Sequence, residues 1–162
     1  MSGQFRPVRD LGLSALAGMR SWSAPAWLSY VATRDPGGLE GTPFGILASR
    51  KALAFTVLSA LGESLVDKTP LPPRRTHPVL LTWRVCMGAF VGAAVFARER
   101  RSPLAGAILG GVAGAASTYA SYELRRRAVR KLGWPDLVVA VLEEGLVQGA
   151  GWGIARAQLR GD

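Results

Sequence analysis

The chain has 162 residues, one domain's worth, and its 20 Lys and Arg against 11 Asp and Glu give a formal charge of +9. One cysteine, Cys86, and one histidine, His77, exclude a disulfide framework and a structural zinc site and show no thiolate–imidazole pairing. Apolar residues at 49% and a mean hydropathy of +0.19 suit a soluble and a membrane protein alike, so the distribution along the chain decides.

Met1 to Asp10 is polar, with Arg6 and Arg9, and the apolar run Leu11 to Ala17 follows. Ala15 to Ala17 resembles a signal-peptide cleavage triplet, but Asp10 and so short an apolar run argue against one. The run instead opens a first span, Leu11–Thr33, with Arg20, Ser21, Ser23 and Pro25 near its middle. Pro25 removes a backbone donor and frees carbonyls near Met19 and Ser21, which predicts a kink or break. If the span breaks, a second half-helix begins near Ser23–Pro25, with hydroxyls and free N–H groups beside Arg20. Such a helix start attracts anions, and broken helices hold substrate in transporters. The plainer alternative is a proline kink in which Arg20 pairs with a carboxylate and the serines bond back to carbonyls.

Arg34 to Lys51 reads as a loop, and its apolar piece Phe44–Ala48 is too short to span. A second span, Ala52–Val66, ends at Glu63 and Asp67, which share a helix face at i and i+4. The prolines of TPLPPRRTHP then impose an extended exit. A third span covers Pro78–Ala97, with Gly88 and Gly92 four apart and Arg84 near one end, where it is expected to snorkel to headgroups. Ser102–Tyr122, the fourth, contains no charged residue and carries Gly106, Gly110 and Gly114. Pro135–Ala155, the fifth, carries Gly145, Gly149 and Gly153, and also Glu143, Glu144 and Gln148.

These spans predict an all-α, multi-pass transmembrane helical bundle forming a single domain over residues 1–162. Small residues at every fourth position let helix backbones approach closely, within one subunit or between copies. A charged side chain at bilayer depth costs on the order of 2.5–3.5 kcal/mol on insertion scales, so Arg20 is expected to pair with Glu63, Asp67 or an acid of the fifth span. Basic residues collect between spans, as Arg98–Arg101 and Arg125–Lys131, in the manner of hairpin turns against anionic lipid. No helix-turn-helix, RNP or zinc-knuckle pattern accompanies them, so the bilayer is the expected partner and nucleic acid is not. No cofactor is implied.

Two segments resemble each other: LGESLVDK at Leu61–Lys68 and LEEGLVQG at Leu142–Gly149. Each lies in the helix after a small-residue, serine-bearing stretch, with one span between the pairs, so spans one and two would invert against four and five. Arg6, Arg9, Lys68, Arg74, Arg75 and the Arg125–Lys131 cluster then share one face, against Arg34, Arg50, Lys51, Arg98, Arg100, Arg101, Arg156 and Arg160. That small excess favours a cytoplasmic N-terminus.

GMRSWSAPAWLS, Glu63 with DKTPLPPR, Arg84 before GAFVGAA, GAILGGVAGAASTYASYELRR and the acidic pair of the last helix occur together from about Leu11 to Ala155. In this the chain resembles an uncharacterised bacterial membrane family catalogued as domain of unknown function 4126. The resemblance implies a small multi-pass protein of an inner membrane and names no activity. From the residues themselves, the leading reading is a transporter or channel-like protein binding a small solute or ion at Arg20, Ser21, Ser23, Glu63, Asp67, Glu143, Glu144 and Gln148. The alternative is a non-catalytic structural or assembly subunit. A lipid-modifying enzyme using Asp67 and His77 ranks last, because neither has an evident nucleophile or orienting partner.

Overall fold

The computed structural model describes residues 7–66 and 78–160. Six α-helices hold most of them: α1 Pro7–Met19, α2 Ser23–Arg34, α3 Arg50–Val66, α4 Pro78–Arg98, α5 Pro103–Lys131 and α6 Asp136–Arg160. Short 3-10 turns at Pro36–Gly38 and Gly45–Ala48 punctuate the connection from α2 to α3, and among the described residues there is no strand. Asp67 and the proline-rich exit through His77 lie outside the described residues.

Glycine rows determine how α4 and α5 meet. Gly88 and Gly92 face Gly110 and Gly106, so the helices run antiparallel with backbone against backbone. A Cβ on Gly88 would stand 2.5 Å from the Gly110 carbonyl oxygen, and one on Gly92 would strike the Gly106 carbonyl. Between apolar helices in lipid, this close approach replaces the hydrophobic effect as the source of association. Ser102 caps α5 by accepting from the Ala105 N–H at 3.4 Å, and Pro103 takes the first helical position, where no donor is needed. Gly114 extends the row to α1, where a Cβ on Gly18 would collide with the Gly114 carbonyl and the Ser117 hydroxyl. A Cβ on Gly145, Gly149 or Gly153 of α6, by contrast, would meet nothing within 4 Å among the described residues.

The first apolar stretch does not run straight through. Asp10 of α1 pairs with Arg101 at 2.8 Å and Asp35, just past α2, pairs with Arg98 at 2.5 Å, so both lie at one end of α4. A continuous helix would hold residues 10 and 35 about 37 Å apart at 1.5 Å per residue. Contacts along α6 agree: Gly12 lies against Ile154, Arg20 reaches Glu144, and Trp27 and Tyr30 come back to Gly151 and Trp152. Leu11–Thr33 is therefore a re-entrant helical hairpin with its tip at Arg20–Trp22, and not a span. The break precedes Pro25, which sits in the first turn of α2, where its missing N–H has no intrahelical acceptor to lose. Arg34 consequently shares an end with Asp10, whereas the five-span scheme set the two on opposite faces.

This hairpin is the core of the molecule. Leu13, Leu16, Ala17, Ala24, Leu28 and Ala32 are buried with Ser14, Arg20, Ser21, Ser23 and Ser29. Most of the exposed large apolar side chains belong to the surrounding helices, among them Phe55 and Leu58 of α3, Val79 of α4, Ile108 and Val112 of α5 and Leu146 of α6. That distribution suits lipid outside and protein inside, the condition under which irregular backbone is tolerated at membrane depth. α4, α5 and α6 are long and apolar enough to cross a bilayer. The protein is thus an all-α, multi-pass membrane bundle, with three helices among the described residues meeting that criterion rather than five.

Two further expectations change. Arg125–Lys131 continues α5 as helix instead of turning, because 29 residues extend about 44 Å and carry the basic end beyond a hydrocarbon core of roughly 30 Å. Arg98 and Arg101 are engaged by Asp35 and Asp10 rather than left to lipid headgroups. Cys86 is exposed on α4.

The fold-back has a direct test. Single cysteines at Arg34 and Arg100, in a Cys86→Ala background, should react with a membrane-impermeant thiol reagent from the same face, and one at Arg127 from the other. Reaction of the first two from opposite faces would restore a full crossing by residues 11–33.

Candidate functional site at the hairpin tip

A broken helix leaves carbonyls at one new end and N–H groups at the other without intrahelical partners. At the end of α1, Arg84 donates to the carbonyls of Gly18 at 2.5 Å and Met19 at 3.0 Å. Thr118 donates to the same Gly18 carbonyl at 3.0 Å, and Ser117 to that of Ala15 at 2.6 Å. At the start of α2, the Glu63 carboxylate accepts from the N–H groups of Ser21 and Trp22, both at 2.9 Å. A guanidinium thus lies on the negative end of one helix dipole and a carboxylate on the positive end of the other.

Arg84 is only 4% exposed, so it is drawn inward and does not snorkel. The physical reason is the set of carbonyls freed by the break, which offers a buried cation more hydrogen bonding than its own helix can. Arg84 stands about 9 Å from Pro78 and about 21 Å from Arg98 along α4, which sets the tip well inside the bundle.

Arg20, 1% exposed, forms an ion pair with Glu144 of α6 at 3.0 Å. Glu144 also accepts from Ser64 of α3 at 3.0 Å and from Gln148 at 2.9 Å, and Gln148 accepts from the Trp27 indole at 3.1 Å. One carboxylate therefore links the hairpin turn, α3 and α6. Trp22 flanks the tip, edge-on to Phe55 at 5.5 Å and 6.0 Å from Trp83.

Of the residues singled out in the sequence, Arg20, Ser21, Ser23, Glu63, Glu144 and Gln148 gather at the hairpin. Glu143 does not: it faces Arg125 at 3.6 Å, and Arg125 holds Asp136 through two bonds of 2.9 and 2.7 Å where α5 meets α6. Adjacent helical residues point about 100° apart, so one acid serves the tip and the other braces a helix junction. Asp67 lies outside the described residues. The hydroxyls of Ser14, Ser23 and Ser29 are buried without a hydrogen-bond partner among the described residues, so they do not bond back to the carbonyls of the described helices. Among the described residues no three His, Cys, Asp or Glu side chains converge to hold a metal ion.

Ser64, Ser117 and Thr118 were not singled out from sequence, and Arg84 was expected at the headgroups rather than at the site. A lone arginine inside an apolar span and the Ser-Thr pair of AASTYA were the available signals. What the described residues offer chemically at the tip is two guanidiniums, two carboxylates and two opposed helix ends. Such a set can bind a small polar or charged solute, or accept and release a proton.

A family model described as domain of unknown function (DUF4126) matches residues 9–155. No curated protein and no solved structure matches the chain.

Proposed function

The chain belongs to the DUF4126 family, and from that premise we propose that it is a small transporter or channel-like protein for a small solute or ion in a bacterial inner membrane. The observation that carries this reading is the re-entrant hairpin, whose tip sits inside the bundle among charged groups from α3, α4 and α6. Re-entrant and discontinuous helices place unsatisfied backbone and helix dipoles where a solute crosses. α3, at 17 residues, serves as a fourth crossing beside α4, α5 and α6.

The inverted relation takes a limited form in this proposal. Glu63 and Glu144 hold equivalent positions in LGESLVDK and LEEGLVQG, and both reach the hairpin tip, one on backbone N–H groups and one on Arg20. α5 runs unbroken through Val112–Ala120, so among the described residues the broken hairpin has no counterpart there, and the repeated feature is the acid delivered to it.

The second reading, a structural or assembly subunit, is favoured by the open row Gly145, Gly149 and Gly153, which a second copy or another membrane protein would cover. Cysteines at Ser23 and Gln148, in a Cys86→Ala background, separate the two. Modification of both by a membrane-impermeant thiol reagent in intact vesicles supports transport. If neither reacts from either face while the protein remains folded, the polar groups are structural and the subunit reading replaces it.

A further inference from the structure

We propose that the start of α2 is an anion site for a small monocarboxylate, and that the Glu63 carboxylate is a tethered occupant which such an acid replaces. The inference deepens the transport reading and rests on it for the site's access to water. The first observation is the fit already present: a carboxylate spans two adjacent N–H donors, Ser21 and Trp22, at 2.9 Å each. That carboxylate comes from a different helix, so the cap can withdraw with α3 without unwinding α2.

The second observation is independent of Glu63. Ser23, the first residue of α2, is 2% exposed, and its hydroxyl has no hydrogen-bond partner among the described residues. Cα–Cβ bonds tilt toward a helix N-terminus, which directs this hydroxyl at the same end. The N–H groups of Ser23 and Ala24 have no intrahelical acceptor by helix geometry, and Pro25 contributes no N–H at all. Glu63 therefore satisfies part of a larger donor set, and a free carboxylate centred on it reaches the Ser23 hydroxyl as well.

Charge balance supplies the coupling. At the tip the charged groups among the described residues are Arg20 on the turn, Arg84 on α4, Glu63 on α3 and Glu144 on α6. If a free anion displaced an ionised Glu63, the tip would hold one more negative charge in a low-dielectric interior. Uptake of one proton from solution by Glu63 as it leaves the N–H groups keeps the net charge unchanged. Binding of the acid anion is then linked to binding of one proton, and it weakens as pH rises.

The probe is sodium formate, titrated against the purified full-length protein in detergent, with sodium chloride at matched ionic strength as reference and thermal unfolding as readout. Formate should raise the unfolding temperature saturably and more than chloride does, with the effect declining as pH rises. Ser23→Ala removes a hydroxyl that bonds to none of the described residues, so the unliganded unfolding temperature should hold while formate affinity falls about fivefold. Glu63→Ala removes the tethered competitor, so formate should bind at least about tenfold more tightly, without the pH dependence. Equal effects of formate and chloride, or unchanged affinity in Ser23→Ala, overturn the proposal, and the serine variant decides alone if Glu63→Ala does not fold. Formate flux into proteoliposomes is measured on the same protein. Saturable binding without flux removes the transport reading and leaves this site, whereas flux indifferent to Ser23 and Glu63 does the reverse.

Discussion

Gly92→Val should prevent α4 and α5 from closing and cost about 3 kcal/mol or more, at the upper end of what overpacking does in a core. The reason is that the new Cβ meets the Gly106 carbonyl and the Gly110 Cα, which are backbone atoms of a facing helix and cannot rotate away. Relief requires the helices to separate, and separation removes the contacts that hold them together in lipid. Gly149→Val is the matched control, since that glycine sits in an equally regular row but a Cβ there would meet nothing within 4 Å among the described residues. Its effect on the unfolding of a monomer should stay within about 0.5 kcal/mol. Unfolding in mixed micelles measures both. Equal, small effects would show that the α4–α5 contact is not what holds the bundle. A Gly149→Val protein that unfolds normally but loses an oligomeric form would instead favour the assembly-subunit reading.

Arg20→Ala should destabilise the protein by about 3 kcal/mol, because it leaves the half-buried Glu144 without the fully buried cation that pairs with it. Arg34→Ala is the comparison: that side chain lies at the exposed end of α2, over the Tyr30 ring at 4.6 Å, and its loss should cost about 1 kcal/mol or less. The double change Arg20→Met with Glu144→Leu should recover much of the loss, since replacing both members of a buried pair by apolar groups removes the stranded charge. Non-additivity of that kind separates an ion pair from two independent packing defects. If Arg20→Ala and Arg34→Ala have equal, small effects, the pair does not hold the hairpin tip.

Several features of this protein were legible in the chain because they depend on composition over a helix length. The charge-free run Ser102–Tyr122 and the apolar stretches of α4 and α6 identify long membrane helices by hydropathy and length alone. Glycines at every fourth position announce close approach, since i and i+4 share a face in any helix. Arg20 announced a partner, because a cation in an apolar stretch needs an acid, and the sequence holds few acids for it.

Which faces meet was decided by tertiary structure. The two rows on α4 and α5 close on each other while the identical spacing on α6 stays open, and spacing says nothing about what lies opposite. Glu143 and Glu144 are indistinguishable as neighbours in a string, yet one braces Arg125 and the other holds Arg20. The largest difference is the hairpin. A stretch of this length with a proline near its middle fits a kinked span and a re-entrant turn equally well by hydropathy, which counts residues and not direction. Folding back exposes carbonyls and N–H groups at the turn, and that is affordable only where others answer them. Here Glu63, Arg84 and Thr118 do so from three other helices, far away in the chain. Local sequence thus determined where helix could form, and the long-range satisfaction of broken backbone determined where it stopped and turned.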